Sequence, residues 1–202
     1  MGGLQVSAPL APATPLLYAL TTTYSVGVKK VAYISNGVEY GLHCLLYLVA
    51  RADEQVEANV RDLAELQGVS VEYLAKLFTK LAKAGLVVAA EGARGGFQLA
   101  RPADRINFQD VVLAIDGPKP LFDCQEIRTR CAVFGDQAPR WATRGRCSIH
   151  QVMLEVEERM RQELAAHTLA SLATQVAGKA PASFGIQIET WLKDRKQHRP
   201  TR

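Results

Sequence analysis

Residues 60–84, VRDLAELQGVSVEYLAKLFTKLAKA, decide the fold of this chain. Apolar residues recur there at helical spacing in two runs, which predict a short helix over Arg61–Gln67 and a longer one over Val71–Ala84. Between the runs, Gly68 favours a tight turn and Ser70 is a good N-cap for the second helix. A helix, a tight turn and a second helix in this order predict a helix-turn-helix.

A glycine-rich segment with a short apolar strand on each side follows the second helix. The strands are predicted over Leu86–Ala90 and Phe97–Ala100, and the segment between them predicts a β-hairpin. A hairpin directly after a helix-turn-helix is a wing. Arg94, which stands among glycines at its tip, provides a flexible cation that can enter a narrow minor groove.

Helical patterns on both sides of this region predict a mainly α fold with a small β-hairpin wing. An apolar face predicts a first helix over Ser35–Arg51, and Asn107 with Asp110 three residues later predicts the start of another helix. A long helix with one apolar stripe begins at Ser148, and a second copy of the chain is the simplest partner for that stripe. The stripe consists of Ile149, Val152, Met153, Val156, Met160 and Leu164.

These patterns divide the chain into consecutive regions. The first 28 residues carry no charged side chain, and a secretory signal would need a cationic start. We therefore expect an extension without an assigned function there. The predicted regions are a disordered N-terminal extension (1–32), a winged helix-turn-helix domain (33–117), a cysteine-bearing loop (118–147), a dimerisation helix region (148–177) and a basic C-terminal tail (178–202).

Composition and charge exclude several classes of protein. The 202 residues are 48% hydrophobic and 22% charged, with a net charge of +4, which suits a globular chain that can bind nucleic acid. No apolar run reaches the roughly 18 residues of a membrane span. The sequence has no P-loop, no dinucleotide fingerprint and no nucleophile with an evident base, so we expect a cytoplasmic protein that is not an enzyme.

The outward face of the second helix is basic. It carries Lys76, Lys80 and Lys83 against one acid, Glu72. A lysine-bearing face is usually only solvated, but together with the turn and the hairpin it favours a helix that lies in a major groove. The predicted contacts to double-stranded DNA are Arg61, Ser70, Val71, Glu72, Ala75, Lys76, Thr79, Lys80, Lys83, Arg94 and Gly95.

The cysteines fall into two groups. Cys44 lies in an apolar helix pattern, as a packed thiol does, whereas Cys124, Cys131 and Cys147 are spaced C-x6-C-x15-C, with His150 three residues after the last. Thiolates with one further ligand can hold zinc or an iron–sulfur cluster. The residues alone leave three readings open: an iron–sulfur cluster, a metal-free thiol switch, and an interaction module with a structural zinc ion.

Several runs of this sequence resemble one family of bacterial transcription regulators. The runs GVEYGLHCLLYLVA, GARGGFQLARP, INFQDVVLAIDG and CSIHQVMLEVEERM are similar to the Rrf2 family, and the resemblance extends to about Ala173. It implies homodimers joined by the long helix, with each wing and recognition helix on one half of a palindromic operator. Family chains usually begin near residue 30 of this sequence.

The resemblance also implies a cofactor. Many Rrf2-like regulators hold an iron–sulfur cluster with three cysteines in this loop, and the state of the cluster sets the affinity for DNA. Cys124, Cys131 and Cys147 match those cysteines, which favours a 2Fe-2S cluster with a 4Fe-4S cluster as the alternative. The usual spacing is shorter, so Ala132–Arg146 resembles an insertion and Cys131 is a weaker match than the other two.

The resemblance suggests two sources for the fourth ligand. Glu39 of the partner subunit matches an acidic ligand on the first helix and ranks first, and His150 matches a histidine ligand and ranks second. His43 lies one turn beyond Glu39 and is a third candidate. Each also has a simpler reading: Glu39 as a surface acid, His43 as a packed histidine and His150 as a first-turn helix residue. Part of the Rrf2 subgroup that this chain most resembles also uses a histidine at the position of Gln67, and this chain lacks that histidine.

Overall fold

Capping side chains set the start of α2, α3, α4 and α7, whose bounds are given below. The structure is a computed structural model that describes residues 33–49, 56–90 and 95–198. The predicted N-terminal extension (1–32), Arg51 of the predicted first helix and Arg94 of the wing lie outside the described residues. The helices are α1 (Asn36–Leu46), α2 (Val60–Gln67), α3 (Val71–Lys83), α4 (Phe108–Asp116), α5 (Arg140–Thr143), α6 (Ser148–Ala166), α7 (Leu169–Lys179) and α8 (Ala182–Gln197).

The helix-turn-helix has the predicted signals at the predicted places. Asn59 begins α2 by accepting a hydrogen bond from the N–H of Arg61 at 2.9 Å. Gly68 ends α2 in the left-handed conformation, with φ of 69°, a conformation that glycine adopts without steric cost. Ser70 begins α3 by accepting from the N–H of Tyr73 at 3.3 Å. The sequence-based prediction of α2, turn and α3 is confirmed.

The wing consists of β1 (Val87–Ala90) and β2 (Gly96–Leu99), paired antiparallel with Val87 opposite Leu99. The hairpin prediction is therefore confirmed. In addition, Ala58 pairs with Phe97 through two backbone hydrogen bonds of 3.0 and 2.8 Å. A Cβ atom on Gly96 would lie 3.1 Å from the carbonyl oxygen of Ala58, so this close backbone approach favours glycine. The polar stretch before α2 gave no pattern that predicted this pairing.

The core lies between α1, α3, α4 and the wing. Its largest fully buried side chains include Phe78, Leu45, Leu63, Leu81 and Ile106. Cys44 is also fully buried, and burial raises the pKa of its thiol to about 12. The prediction of a packed thiol at Cys44 is confirmed.

The start and end of α4 fix its position against α1. Asn107 and Asp110 form a reciprocal capping box at its start, as predicted. At its end, the Asp116 carboxylate accepts from the N–H of Ser35 at 2.8 Å and from the Ser35 hydroxyl. Partial burial opposes ionisation of Asp116, but the Ser35 hydrogen bonds, with Lys119 and Lys80, outweigh it and lower the carboxyl pKa.

The predicted dimerisation helix region contains a break that its apolar stripe did not predict. Helix α6 ends at Ala166, and Thr168 starts α7 with a capping box to Ser171. A residue outside these two helices fixes the break. The His167 carbonyl accepts a hydrogen bond from the N–H of Phe108, at the start of α4, at 2.9 Å. Such tertiary hydrogen bonds leave no periodic signal in the sequence.

The sequence analysis set residues 178–202 apart as a basic tail and assigned no helix to it. Most of the tail forms α8, whose Leu192 is buried in the core. Arg195 forms an ion pair with Glu65 of α2, and Lys196 forms one with Glu57 at 2.6 Å. Because the tail mixes charges with apolar side chains, its composition resembled a solvated segment. No described helix has the length and apolar character needed to cross a membrane.

Candidate nucleic-acid interface and metal centre

The exposed face of α3 carries the residues predicted to contact DNA. Glu72, Ala75, Lys76, Thr79, Lys80 and Lys83 are exposed, as are Ser70 before the helix and Arg61 on α2, while Val71 is half-buried. The Ser70 hydroxyl donates to the Glu72 carboxylate at 2.8 Å, and this hydrogen bond lowers the pKa of Glu72. A negative charge is thus kept in the first turn of α3.

The lysines of α3 are not equivalent. The Lys80 ammonium donates to the carbonyl oxygen of Ile115 at 2.6 Å, near the C-terminal end of α4, where a helix dipole favours a cation. Lys80 therefore links α3 to α4, whereas the sequence analysis predicted that Lys80, like Lys83, contacts DNA. On the wing, Gly95 is exposed with φ of 42°, and its neighbour Arg94 lies outside the described residues.

The cysteine loop has little regular structure. Between α4 and α6 it contains two single-turn 3-10 helices, Ile127–Arg130 and Ala132–Phe134, and the short α5. Within this loop and the first turn of α6, ligand atoms of Cys124, Glu126 and His150 all lie within 4.8 Å of one another. The Cys124 sulfur is 3.9 Å from Glu126 Oε1. The fold therefore brings a thiol, a carboxylate and an imidazole together from two separate segments.

Cys147 is the N-cap residue of α6. The backbone N–H groups of His150 and Ile149 lower the pKa of its thiol, and the neighbouring Cys124 side chain and the Arg128 cation act in the same direction. A helix N-terminus and a nearby cation both favour the thiolate. Cys147 is thus prepared as a nucleophile or as a metal ligand, and its sulfur lies beside that of Cys124.

Arg128 holds the two segments together. Its Nε donates to Glu126 Oε2 at 2.7 Å, and its Nη2 donates to the carbonyl oxygen of Gly145 at 2.6 Å, two residues before Cys147. Sequence analysis missed both Glu126 and Arg128, although they stand in the run FDCQEIR directly after Cys124. An acid and a base at this spacing are common on surfaces, and their roles depend on a turn that no pattern predicts.

Cys147 interacts with Cys124 but is not part of the group that Cys124, Glu126 and His150 form. Two other predicted ligands also lie outside that group. Cys131 is exposed and is not in the group formed by Cys124, Glu126 and His150. Glu39 is exposed on α1 and lines, with the exposed His43, an apolar groove of about 400 Å³. The reading of His43 as a packed side chain is therefore wrong. The groove is completed by Ile34, Ser35, Asn36, Val38, Leu42, Leu46, Phe108, Val112, Leu164, Leu172 and Val176.

Comparison with known proteins defines the family. The Rrf2 family profile, described as that of an iron-dependent transcriptional regulator, matches residues 34–175. The chain belongs to the Rrf2 family. Protein rrf2 of Nitratidesulfovibrio vulgaris is 35% identical to it over 133 residues, which cover 66% of this chain and 81% of that protein. The resemblance read from the sequence runs is confirmed.

Solved structures show that this Rrf2-family chain has a winged-helix fold. IscR of T. potens is 23% identical, with a TM-score of 0.55, and the match covers 78% of this chain and 97% of that one. CymR of B. subtilis, the global cysteine regulator of that organism, is 23% identical, with a TM-score of 0.53 and coverage of 71% and 98%. The predicted fold class is confirmed.

Family membership determines the general function of the chain. Rrf2 proteins are transcriptional regulators that bind DNA through the winged helix, and this chain is one of them. The prediction that it is not an enzyme is confirmed by the family, whose members are regulators.

Proposed function

We propose that this Rrf2 chain acts in the bacterial cytoplasm as a homodimeric regulator that senses redox, iron or nitric oxide status through an iron–sulfur cluster. Cys124, Cys131 and Cys147 would hold the cluster, for which 2Fe-2S is favoured over 4Fe-4S. The observation that carries the proposal is that the Cys124 sulfur lies with the His150 imidazole and also interacts with the Cys147 thiol, whose pKa is lowered. Thiolates and imidazoles suit iron–sulfur clusters, so the donor set fits the group.

The fourth ligand has two candidates on this chain. His150 already lies with Cys124, whereas Glu39 would have to act from α1 of the other subunit. Proximity favours His150, which reverses the order suggested by the resemblance. In anaerobic reconstitution, His150→Ala should lower the bound iron per chain while Glu39→Ala leaves it unchanged. The opposite result would assign the ligand to Glu39 of the partner subunit.

The DNA contacts follow from the exposed face of α3 and the wing. Val71, Glu72, Ala75 and Lys76 at the start of α3 would approach base edges, and the wing with Arg94 and Gly95 would enter the minor groove. Phosphates would be contacted by Arg61, Ser70, Thr79 and Lys83, whereas Lys80, whose ammonium binds the Ile115 carbonyl, would contribute less. In a dimer, two such surfaces would read the half-sites of a palindromic operator.

Helix α6 supplies the surface that would join the two subunits. Ile149, Val152 and Val156 lie on one side of it and are 63%, 57% and 47% exposed. An apolar stripe of this kind is stabilised by packing against a second helix. Val152→Lys should therefore give monomers in analytical ultracentrifugation, while Glu158→Lys on the opposite side should leave dimers. A dimeric Val152→Lys variant would rule out this surface.

Because the loop lies between α4 and α6, its order would affect both the DNA-binding domain and the dimer helix. When bound, the cluster would supply an iron- and redox-sensitive link at this position. With the link lost, Cys124 and Cys147 would no longer hold the loop to the start of α6, and the two recognition helices would change their spacing. Half-sites are a fixed helical repeat apart, so a small change should lower DNA affinity strongly.

Serine variants test the cluster proposal directly. Anaerobically prepared Cys124→Ser and Cys147→Ser should contain little iron or sulfide and should bind operator DNA with one affinity, whatever the redox state. Cys44→Ala is the matched control. Cys44 is buried in the core and is not a proposed ligand, so this variant should keep the cluster. Cys124→Ser and Cys147→Ser variants with wild-type iron, sulfide and redox-dependent DNA binding would contradict the proposal.

A metal-free thiol switch is a second candidate, favoured by the lowered pKa of Cys147 beside Cys124. The Cys147 thiolate would attack a peroxide, breaking its O–O bond and giving a sulfenic acid and water. The Cys124 thiol would then displace a second water and form the disulfide, so the peroxide takes the two electrons. Mass spectrometry of metal-free protein treated with peroxide should find a Cys124–Cys147 disulfide; its absence would exclude this candidate.

A further inference from the structure

Glu126 has a conformation that needs an explanation. Its φ is positive, at 49°. Among the described residues, it is the only residue other than glycine with a positive φ. Such backbone is sparsely populated for residues with a Cβ and occurs often at functional sites. The turn directs the exposed Glu126 side chain back toward Cys124, two residues earlier.

The two carboxylate oxygens of Glu126 have different surroundings. Oε2 is held by Arg128 Nε at 2.7 Å, while Oε1 is 3.9 Å from the Cys124 sulfur. Arg128 also binds the Gly145 carbonyl at 2.6 Å, which fixes the carboxylate relative to the segment that leads into α6. Oε1 is therefore placed at the thiol–imidazole pair by an anchored side chain.

The spacing of these donor atoms suits a single metal ion. Ligand atoms around one tetrahedral zinc ion are about 3 to 4 Å apart, and the ligand atoms of Cys124, Glu126 and His150 are already within 4.8 Å of one another. A contraction of at most about 1 to 2 Å would bring them to ligand distances. The three side chains give a mixed sulfur, nitrogen and oxygen set that leaves a fourth position open.

We infer that Cys124, Glu126 and His150 bind one divalent transition-metal ion, Zn²⁺ or Fe²⁺, within a single chain, with a fourth position open to water. Such a set suits these ions. Neither the exposed Cys131 nor a residue of another subunit belongs to this site. The inference does not depend on the proposed cluster; because the two sites share Cys124, occupation of one would exclude the other.

Cobalt is a suitable probe, because Co²⁺ bound by thiolates in tetrahedral geometry is coloured. Reduced, metal-free protein titrated anaerobically with Co²⁺ should bind one ion per chain with thiolate-to-metal charge transfer and tetrahedral ligand-field bands. Glu126→Gln should weaken Co²⁺ binding by at least about tenfold, since even outer-shell partners of metal sites contribute that much. Asp136→Asn, an exposed carboxylate elsewhere in the loop, is the matched control and should bind as the wild type does.

Cluster reconstitution on the same proteins separates this inference from the proposed function. Cys131→Ser should keep the Co²⁺ site and lose the cluster, whereas Glu126→Gln should lose the Co²⁺ site and keep the cluster. Co²⁺ affinity of Glu126→Gln within about twofold of the wild type would overturn the inference. Loss of Co²⁺ binding in Cys131→Ser would overturn it too, and neither result bears on whether a cluster forms.

Discussion

At the residue scale, glycines of the helices differ in what a side chain would meet. A Cβ atom on Gly41 in α1 would lie 2.5 Å from Ile115 Cδ1, whereas one on Gly178 in α7 would meet nothing within 4 Å. The first glycine lets α1 and α4 approach each other, and the second has no packing role. The same substitution at the two sites should therefore have opposite effects on stability.

Gly41→Ala should lower the free energy of unfolding by about 1–3 kcal/mol, because Ile115 would have to move in a packed core. Gly178→Ala should raise it by about 0.5–1 kcal/mol, because alanine loses less backbone entropy in a helix. Urea unfolding followed by circular dichroism measures both. A Gly41→Ala variant as stable as the wild type would mean that α1 and α4 pack less closely at Gly41 than the 2.5 Å distance to Ile115 Cδ1 implies.

The cysteines should differ in reactivity according to their surroundings. Burial raises the pKa of Cys44 to about 12, whereas helix N–H groups lower the pKa of Cys147. The thiolate is the reactive form, so Cys147 in reduced, metal-free protein should react with iodoacetamide at a pH below the usual thiol range, and Cys44 should react only after unfolding. Peptide mass spectrometry over a pH series measures this; equal labelling of the two would contradict the assignment.

At the element scale, the capped helices were predictable and their interruptions were not. Ser70, Asn107 and Gly68 act through neighbours close in sequence, so their signals could be read directly. The break after α6 depends on the hydrogen bond between Phe108 and His167, which are far apart in the chain. Apolar residues continue through that region at helical spacing. A periodic pattern cannot show that a backbone group from a distant part of the chain forms a hydrogen bond there.

Helix α3 offers a test that separates a DNA contact from a structural one. Lys83→Ala should weaken DNA binding and reduce the slope of log affinity against log salt by about 1, as expected for one lost phosphate contact. Lys80→Ala should change the slope less and lower stability instead, because its ammonium binds the Ile115 carbonyl. Fluorescence anisotropy at several salt concentrations measures the slopes. A larger slope change for Lys80→Ala would reverse these assignments.

At the scale of the whole molecule, the DNA-binding domain includes a part that lies far away in sequence. The family profile ends at residue 175, yet α8 beyond it buries Leu192 and pairs Arg195 with Glu65 of α2. Its salt bridges are exposed and contribute little, so the apolar contacts should dominate. The domain boundaries predicted from sequence, which set 178–202 apart as a tail, remain a proposal.

Truncation after Lys179 should therefore destabilise the helix-turn-helix. Leu192→Ala should lower the free energy of unfolding by about 2–4 kcal/mol, in the range for a buried leucine, and the truncation should lower it at least as much. Lys193→Ala on the same helix is an exposed control. Urea midpoints measure the effect, and an unchanged midpoint after truncation would show that α8 is not part of the core.

The candidate metal centre shows where prediction from sequence ends. Cys124, Cys147 and His150 were predictable, because few residue types bind soft metals and their clustering is conspicuous. Glu126 and Arg128 were not, since their importance arises from a left-handed turn and from hydrogen bonds between two segments of the loop. Rules about composition and spacing cannot supply that kind of tertiary information.

The central claim, that this Rrf2 regulator senses through an iron–sulfur cluster, is tested most directly by measuring iron and acid-labile sulfide per chain after anaerobic purification. The account predicts a coloured protein with iron and sulfide in stoichiometric amounts. A colourless protein that contains only zinc, or that holds no iron and sulfide even after reconstitution, would contradict it.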